Sequence, residues 1–428
     1  MIFCPTPTAT FIVQRASLLE GACASMLGVV LWSVAQSVAA QGSPSQGSPS
    51  LEDPFQLRLG REITWDANVF RIPDSAPDPQ AGRGIPGRSD QLTRTSVGLK
   101  FDKEYGLQRL LIDIGQSTLR YDKFSSLNSD AYDRLARLNW QLGPRLRGTL
   151  SAIRSQSAVG FDQTGGTTNI VRTNGSEQLT VDGWLSGGWH LLAGYSASDV
   201  TNSVPFVTQP NVNQSTAEAG LRYVAESANS VSYTQRWGRG SYAGQAVNFV
   251  TLTDSGFTLR ESELMASWVT GGQSALEGRL TWIERRYDNI PQRGFSGVAG
   301  EVRYHWTPTG NLTFDFSALQ NLTAYTPDLQ SSYRKDDTLS FAATWAVGAT
   351  TTLRMNLSRQ SSSFLGPVTP VAGPQRHDVL NIARLAVEWK PHARITLGAS
   401  VQRQQRTSND ANFAFNDTIG GLSAMLTY

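Results

Sequence analysis

The chain has 428 residues, 39% of them hydrophobic and 17% charged, with 37 Lys and Arg against 35 Asp and Glu for a formal net charge of +2. That balance gives no reason to expect a nucleic-acid partner, and no apolar run after residue 40 approaches the roughly 20 residues of a spanning helix, which excludes a helical membrane protein. Helical periodicity and Rossmann-type alternation are both missing, so a pair of ordinary soluble domains is also a poor fit.

Residues 1–40 read as an export signal: Arg15 in the lead, an apolar core from Ala22 to Ala35, and Val38-Ala39-Ala40 as a small-residue cleavage site. Both cysteines, Cys4 and Cys23, fall inside it, so the predicted mature chain has no thiol for a disulfide or a metal. Residues 41–53 contain QGSPSQGSPS and are expected to form a flexible periplasmic spacer. Its brevity argues against a plug domain or a set of periplasmic partner domains, hence against an energised receptor or a barrel-assembly protein.

From residue 54 to 428 the chain reads as strands. Phe55, Leu57 and Leu59 alternate with Gln56, Arg58 and Gly60, and the same period of two recurs in Val97, Leu99 and Phe101, in Leu146, Gly148, Leu150 and Ala152, and in Ile395, Leu397, Ala399 and Val401. An aromatic precedes a tight turn at Phe101, Trp140, Tyr223, Trp268, Trp306, Trp345 and Trp389. With Trp184 and the terminal Tyr428 the series repeats about every 40 residues, the length of one hairpin with its loop. Trp184 is out of phase with Leu179, Val181 and Leu185, so a bulge or a lumen-facing tryptophan is expected there. The turns carry Gly for positive φ and Pro for fixed φ, as in Gly143-Pro144, Gly187-Gly188 and Gly271-Gly272. Eight such turns with both chain ends on one side predict an all-β, transmembrane antiparallel up-and-down β-barrel of 18 strands, or 16 if a terminal assignment fails. The longer segments 72–90, 156–176, 197–214, 239–255 and 360–378 are the expected extracellular loops. The end of the chain, with Leu422, Ala424, Leu426 and Tyr428 on one face, resembles the C-terminal assembly signal of bacterial outer-membrane proteins, which implies contact with barrel-assembly machinery and surrounding lipid.

A barrel this wide has room for an aqueous lumen. Alternation assigns Arg58, Arg137, Arg147, Arg222, Arg279, Arg303, Arg354, Arg384, Glu218 and Glu301 to its inner face, where pairing of Arg with Glu to hold the wall competes with a role in solute binding. The slight excess of arginine favours an anionic or sugar-like solute. Catalysis, a cofactor and a metal are not expected: His190, His305, His377 and His392 fall in no metal-ligand spacing or nucleophile motif, although His190 with a nearby Ser can be imagined as a barrel-wall lipase pair.

The stretch Leu57 to Arg71, and within it Asp66, Asn68, Phe70 and Arg71, is similar to the opening of outer-membrane barrels encoded with exopolysaccharide gene clusters, the EpsL type within a broader β-barrel porin group. Leu138-Asn139-Trp140-Gln141-Leu142-Gly143-Pro144 and the returning Leu146-Arg147-Gly148 add to that likeness. The resemblance implies a role in exopolysaccharide synthesis or export, with the polymer and export machinery as partners. The expected mechanism is a passive, non-enzymatic conduit, with Trp65 stacking on sugar rings only if it faces the lumen, whereas its strand partners Phe55, Leu57 and Leu59 face lipid. A general or substrate-selective diffusion porin has the same architecture and is the alternative, with a barrel enzyme behind it. From residues alone, Asp66 and Asn68 can equally serve to turn the chain.

Overall fold

A computed structural model describes residues 54–80, 82, 84–161, 167–204, 210–324, 331–366 and 374–428, so the expected signal and spacer lie outside the described residues. The described chain forms a single 18-stranded antiparallel sheet in which each strand pairs with its sequence neighbours and β1 also pairs with β18, closing a barrel. The strands are β1 (Phe55–Asp66), β2 (Asp90–Tyr105), β3 (Gln108–Tyr121), β4 (Ser129–Leu142), β5 (Leu146–Ala158), β6 (Val171–Ser186), β7 (Trp189–Asn202), β8 (Val212–Val224) and β9 (Ser230–Tyr242). There follow β10 (Gly256–Thr270), β11 (Ser274–Tyr287), β12 (Phe295–Thr309), β13 (Leu312–Ala324), β14 (Tyr333–Val347), β15 (Thr351–Leu365), β16 (His377–His392), β17 (Ile395–Ser408) and β18 (Phe415–Thr427). All eight short turns fall at the predicted places, and the count is 18 rather than 16.

Closure explains why the last residue matters. The Leu57 amide donates to the Tyr428 carbonyl at 2.7 Å and the Tyr428 amide to the Leu57 carbonyl at 2.8 Å, so the C-terminal residue completes the seam begun by the Arg58↔Thr427 register. A closed sheet leaves no edge, which is the condition for a sheet to survive in hydrocarbon. Burial is inverted relative to a water-soluble domain. Leu339 and Trp268 on the outer face are 62% and 60% exposed, whereas Asp336 and Arg236 on the inner face are 2% and 6% exposed. Leu422, Leu426 and Tyr428 all lie on the exposed outer face.

Tight turns are built as the residues dictate. Gly187 and Gly188 take φ of 55° and 87°, a region that L side chains disfavour. At Trp184 both expected irregularities occur together: the register slips between Trp184 and Ser186, and Trp184 pairs with the inward His190. Strands at the long-loop end run further than alternation suggested. The expected loop 156–176 is shortened by β5 reaching Ala158 and β6 starting at Val171, and 197–214 by β7 reaching Asn202 and β8 starting at Val212. The expected loop 360–378 is likewise shortened by β15 reaching Leu365. Above an apolar belt both faces of a strand are polar, so the period-two signal fades while the hydrogen-bond ladder continues.

Candidate functional site

Strand register places the side chains of Arg58, Arg137, Arg147, Arg222, Arg279, Arg303, Arg354, Arg384, Glu218 and Glu301 on the inner wall, since each falls in the strand phase opposite to the apolar residues of the outer face. Six of the arginines, Arg58, Arg137, Arg147, Arg222, Arg303 and Arg354, sit within a few residues of the short-turn end on β1, β4, β5, β8, β12 and β15. They therefore form a belt around the whole circumference near one mouth. Arg147 and Arg303 keep 59% and 56% of their side chains exposed.

Within the belt Asp182 of β6 is the chief anchor. Its Oδ2 accepts from Arg147 Nε at 3.0 Å and from Arg222 Nη2, while its Oδ1 contacts His190 Nδ1 at 2.7 Å. One carboxylate thus faces two guanidinium groups, and the local balance is positive. Arg58 pairs with Asp113 across β1 and β3, Arg354 with Glu388 at 2.8 Å, and Arg279 and Arg303 share Glu301 at 3.2 and 2.6 Å.

A second node has the opposite sign. Arg236 of β9 donates to Glu218 at 2.8 Å and Glu263 at 2.9 Å and lies 3.6 Å from Glu261, three acids around one buried cation. Thr281 Oγ1 donates to the far oxygen of Glu263 at 3.2 Å. Such a network specifies the wall because removing any member strands the others in a poorly hydrated place. Sequence alternation placed Glu218 here but singled out neither Asp182 nor Arg236. Both lie in the inward phase of their strands, which was the available signal.

The long-loop end is packed. Val69, Phe70, Phe124 and Leu127 form a buried cluster against Ile72, Ile85, Tyr121 and Phe161, with Phe70 centred 4.9 Å from both Phe124 and Phe161. Because Tyr121 pairs with Leu92 on the inner phase, this cluster lies against the inner wall. Across β9 to β11 the Arg285 guanidinium stands 3.4 Å over the Phe257 ring and donates to Tyr242 Oη at 2.7 Å.

The four motif residues are used in a turn. Asp66 accepts the Asn68 amide at 2.8 Å and both terminal nitrogens of Arg71 at 2.9 Å. Asn68 ties this turn across the seam by donating its amide to Asp417 at 3.0 Å and its side chain to the Asn416 carbonyl at 3.0 Å. Arg71 adopts a φ of 53°, held by its own guanidinium on Asp66. Phe70 is 2% exposed in the apolar cluster. The expected stacking role of Trp65 does not survive: it faces outward, 44% exposed, with its indole donating to Gln91 at 3.0 Å.

Among the described residues, hydrolytic chemistry finds no enclosed geometry: a Ser361–His377 contact at 3.0 Å is solvent-exposed. His190 hydrogen-bonds Asp182, and among the described residues it meets no serine. A Thr307–His305–Asp315 line does exist, with contacts of 3.2 and 2.7 Å, but His305 and Asp315 are half exposed at the strand end. Catalysis by such a line needs water excluded from it. No group of three metal-ligating side chains occurs among the described residues.

No protein-family model matches the chain, and no curated protein matches it. Solved structures that it is similar to include OccK2 (OpdF) of Pseudomonas aeruginosa in complex with glucuronate, at 10% identity and TM-score 0.48, with 88% of this chain and 99% of that chain covered. OpdK of Pseudomonas aeruginosa with vanillate gives 11% identity and TM-score 0.46 over 88% and 100% of the two chains. The FrpB iron transporter of Neisseria meningitidis gives 12% and 0.47 over 85% and 65%.

Proposed function

We propose that the protein is a non-enzymatic outer-membrane channel that passes small anionic or polyhydroxylated solutes by selective diffusion. The observation that carries the reading is the belt of inward arginines on six strands at one mouth of a closed barrel with an apolar outer wall. Guanidinium groups with exposed faces attract anions into the mouth and offer paired donors to carboxylates and sugar hydroxyls. Carboxylates such as Asp182 hold the arginines in place, so a passing solute exchanges hydrogen bonds with a prearranged surface.

Export of an exopolysaccharide fits less well. The residues that carry the likeness to the EpsL type, Asp66, Asn68, Phe70 and Arg71, are engaged in an internal turn and an apolar cluster, and Trp65 points away from the lumen. No family model supports that likeness.

The test is single-channel recording in planar bilayers under a salt gradient. Wild type is expected to show an anion-selective reversal potential, and the R147A/R222A/R354A variant is expected to lose that selectivity. Cation selectivity in wild type, or a reversal potential indifferent to the triple substitution, overturns the reading.

A further inference from the structure

The outer wall carries aromatics toward both of its ends. At the short-turn end these include Trp268, Trp345 and Trp389, and toward the long-loop end Trp65, Trp237 and Trp282. Counted upward from the short-turn end, the outward residues of several strands are apolar for about four positions and then become charged: Leu146, Gly148, Leu150 and Ala152 precede Arg154 on β5, and Ile395, Leu397, Ala399 and Val401 precede Arg403 on β17, while Glu177 on β6 and Glu284 on β11 bring carboxylates to a similar height. Arg134, Arg239, Arg260 and Arg359 occupy the matching level of β4, β9, β10 and β15. Four alternate positions on a strand tilted by about 40° rise roughly 20 Å, which brings these arginines to the far boundary of an apolar band about 25 Å tall.

In one sector the charged level is purely cationic at a groove shaped for a lipid with an anionic headgroup. The groove, of about 700 Å³, runs along the outer face of β12 to β17, walled by Tyr304, Phe316, Phe341 and Leu357. Ala318 and Ala383 form its floor, where the short side chains create the depression. Arg359 and Arg403 stand at its cationic end. They lie two strands apart, hence about 10 Å between backbones, with Asn381 of β16 paired to Arg359 between them. Neither arginine has an ion-pair partner among the described residues, and both are exposed on the outer face. An arginine held near hydrocarbon without a counter-charge is costly, and phosphate is the anion that guanidinium groups bind best in paired geometry.

We propose that this groove holds a phosphate-bearing lipid of the outer leaflet, with an acyl chain along Tyr304, Phe316, Phe341 and Leu357 and the phosphate between Arg359 and Arg403. The inference rests on the reading of the chain as an outer-membrane barrel and is independent of what the lumen conducts. Native mass spectrometry of the full mature chain in detergent, with dipalmitoyl phosphatidic acid or dipalmitoyl phosphatidylcholine added, tests it. Wild type is expected to retain phosphatidic acid at about tenfold lower lipid concentration than phosphatidylcholine, reflecting charge-assisted phosphate bonds. R359Q/R403Q is expected to lose that preference while keeping the heat-modifiable gel mobility of a folded barrel, and R61Q, an outward arginine on β1 away from the groove, is expected to keep it. Equal retention of the two lipids by wild type, or an unchanged preference in R359Q/R403Q, overturns the proposal. So does a dimer that F341R abolishes, because the groove would then be an interface between copies. A barrel that binds the lipid yet conducts nothing refutes the channel and leaves the groove assignment standing.

Discussion

Arg147 and Arg222 converge on a single oxygen, Oδ2 of Asp182, from strands on either side of it. Two like charges are thereby held together in the mouth by one carboxylate that also contacts His190. Removing that carboxylate while keeping the arginines is expected to raise anion selectivity rather than lower it. D182N should shift the reversal potential under a salt gradient further toward that of the anion, by a few-fold in permeability ratio. A shift toward the cation would mean that Arg147 and Arg222 leave the mouth once Asp182 no longer anchors them.

The node around Arg236 predicts a stability effect. Arg236 is 6% exposed, so R236M leaves Glu218, Glu261 and Glu263 without the cation between them. Breaking a buried network by removing one partner costs about 3–5 kcal/mol. The temperature at which the barrel loses its compact gel mobility in detergent should fall clearly for R236M. It should recover in R236M/E218Q/E261Q/E263Q, where the repulsion among the acids is gone.

At the seam, burial pushes the Asp417 carboxyl up to about 6, the nearby Arg71 opposes the shift and the neighbouring Asp66 adds to it. Its outward neighbours Asn416 and Thr418 are polar, which puts this level above the apolar band. An acid whose folded-state pKa is raised holds a proton that the undocked chain has released. Docking of the Asp66–Arg71 turn is therefore strongest below the ordinary Asp range, weakens as pH climbs through about 6 and is level above it. The protection factor of the Asn68 amide, which donates to both Asp66 and Asp417, should follow that curve, and in D417N it should be flat.

Gly148 is a position where a methyl group has nowhere to go. A Cβ there would lie 2.5 Å from Cζ2 of Trp140 and clash with the backbone oxygen of Thr180 on the neighbouring strand. G148A is expected to lower the yield of folded barrel in detergent refolding severalfold. G148A/W140A should recover only part of it, because the Thr180 carbonyl belongs to the sheet and cannot swing aside.

Much of this molecule is written in a period of two. Alternation in segments such as Phe55 to Gly60 and Ile395 to Val401, with glycines at the turns, determines that the chain forms strands, how many there are, and which side chains face in. It does so because a strand gives each residue one of two faces and hydrocarbon accepts only one kind of side chain. The ten inward residues from Arg58 to Arg384 were legible for that reason. Partners were not, because they depend on closure and register. Asn68 meets Asp417 only because β1 returns to β18, and Asp182 gathers Arg147, Arg222 and His190 only because β5 to β8 are set at one particular stagger. The same holds for the motif residues Asp66 to Arg71, whose side chains serve a turn. A sequence pattern repeats along one strand, whereas an ion pair across a barrel is a distance between strands, and only the closed sheet sets that distance.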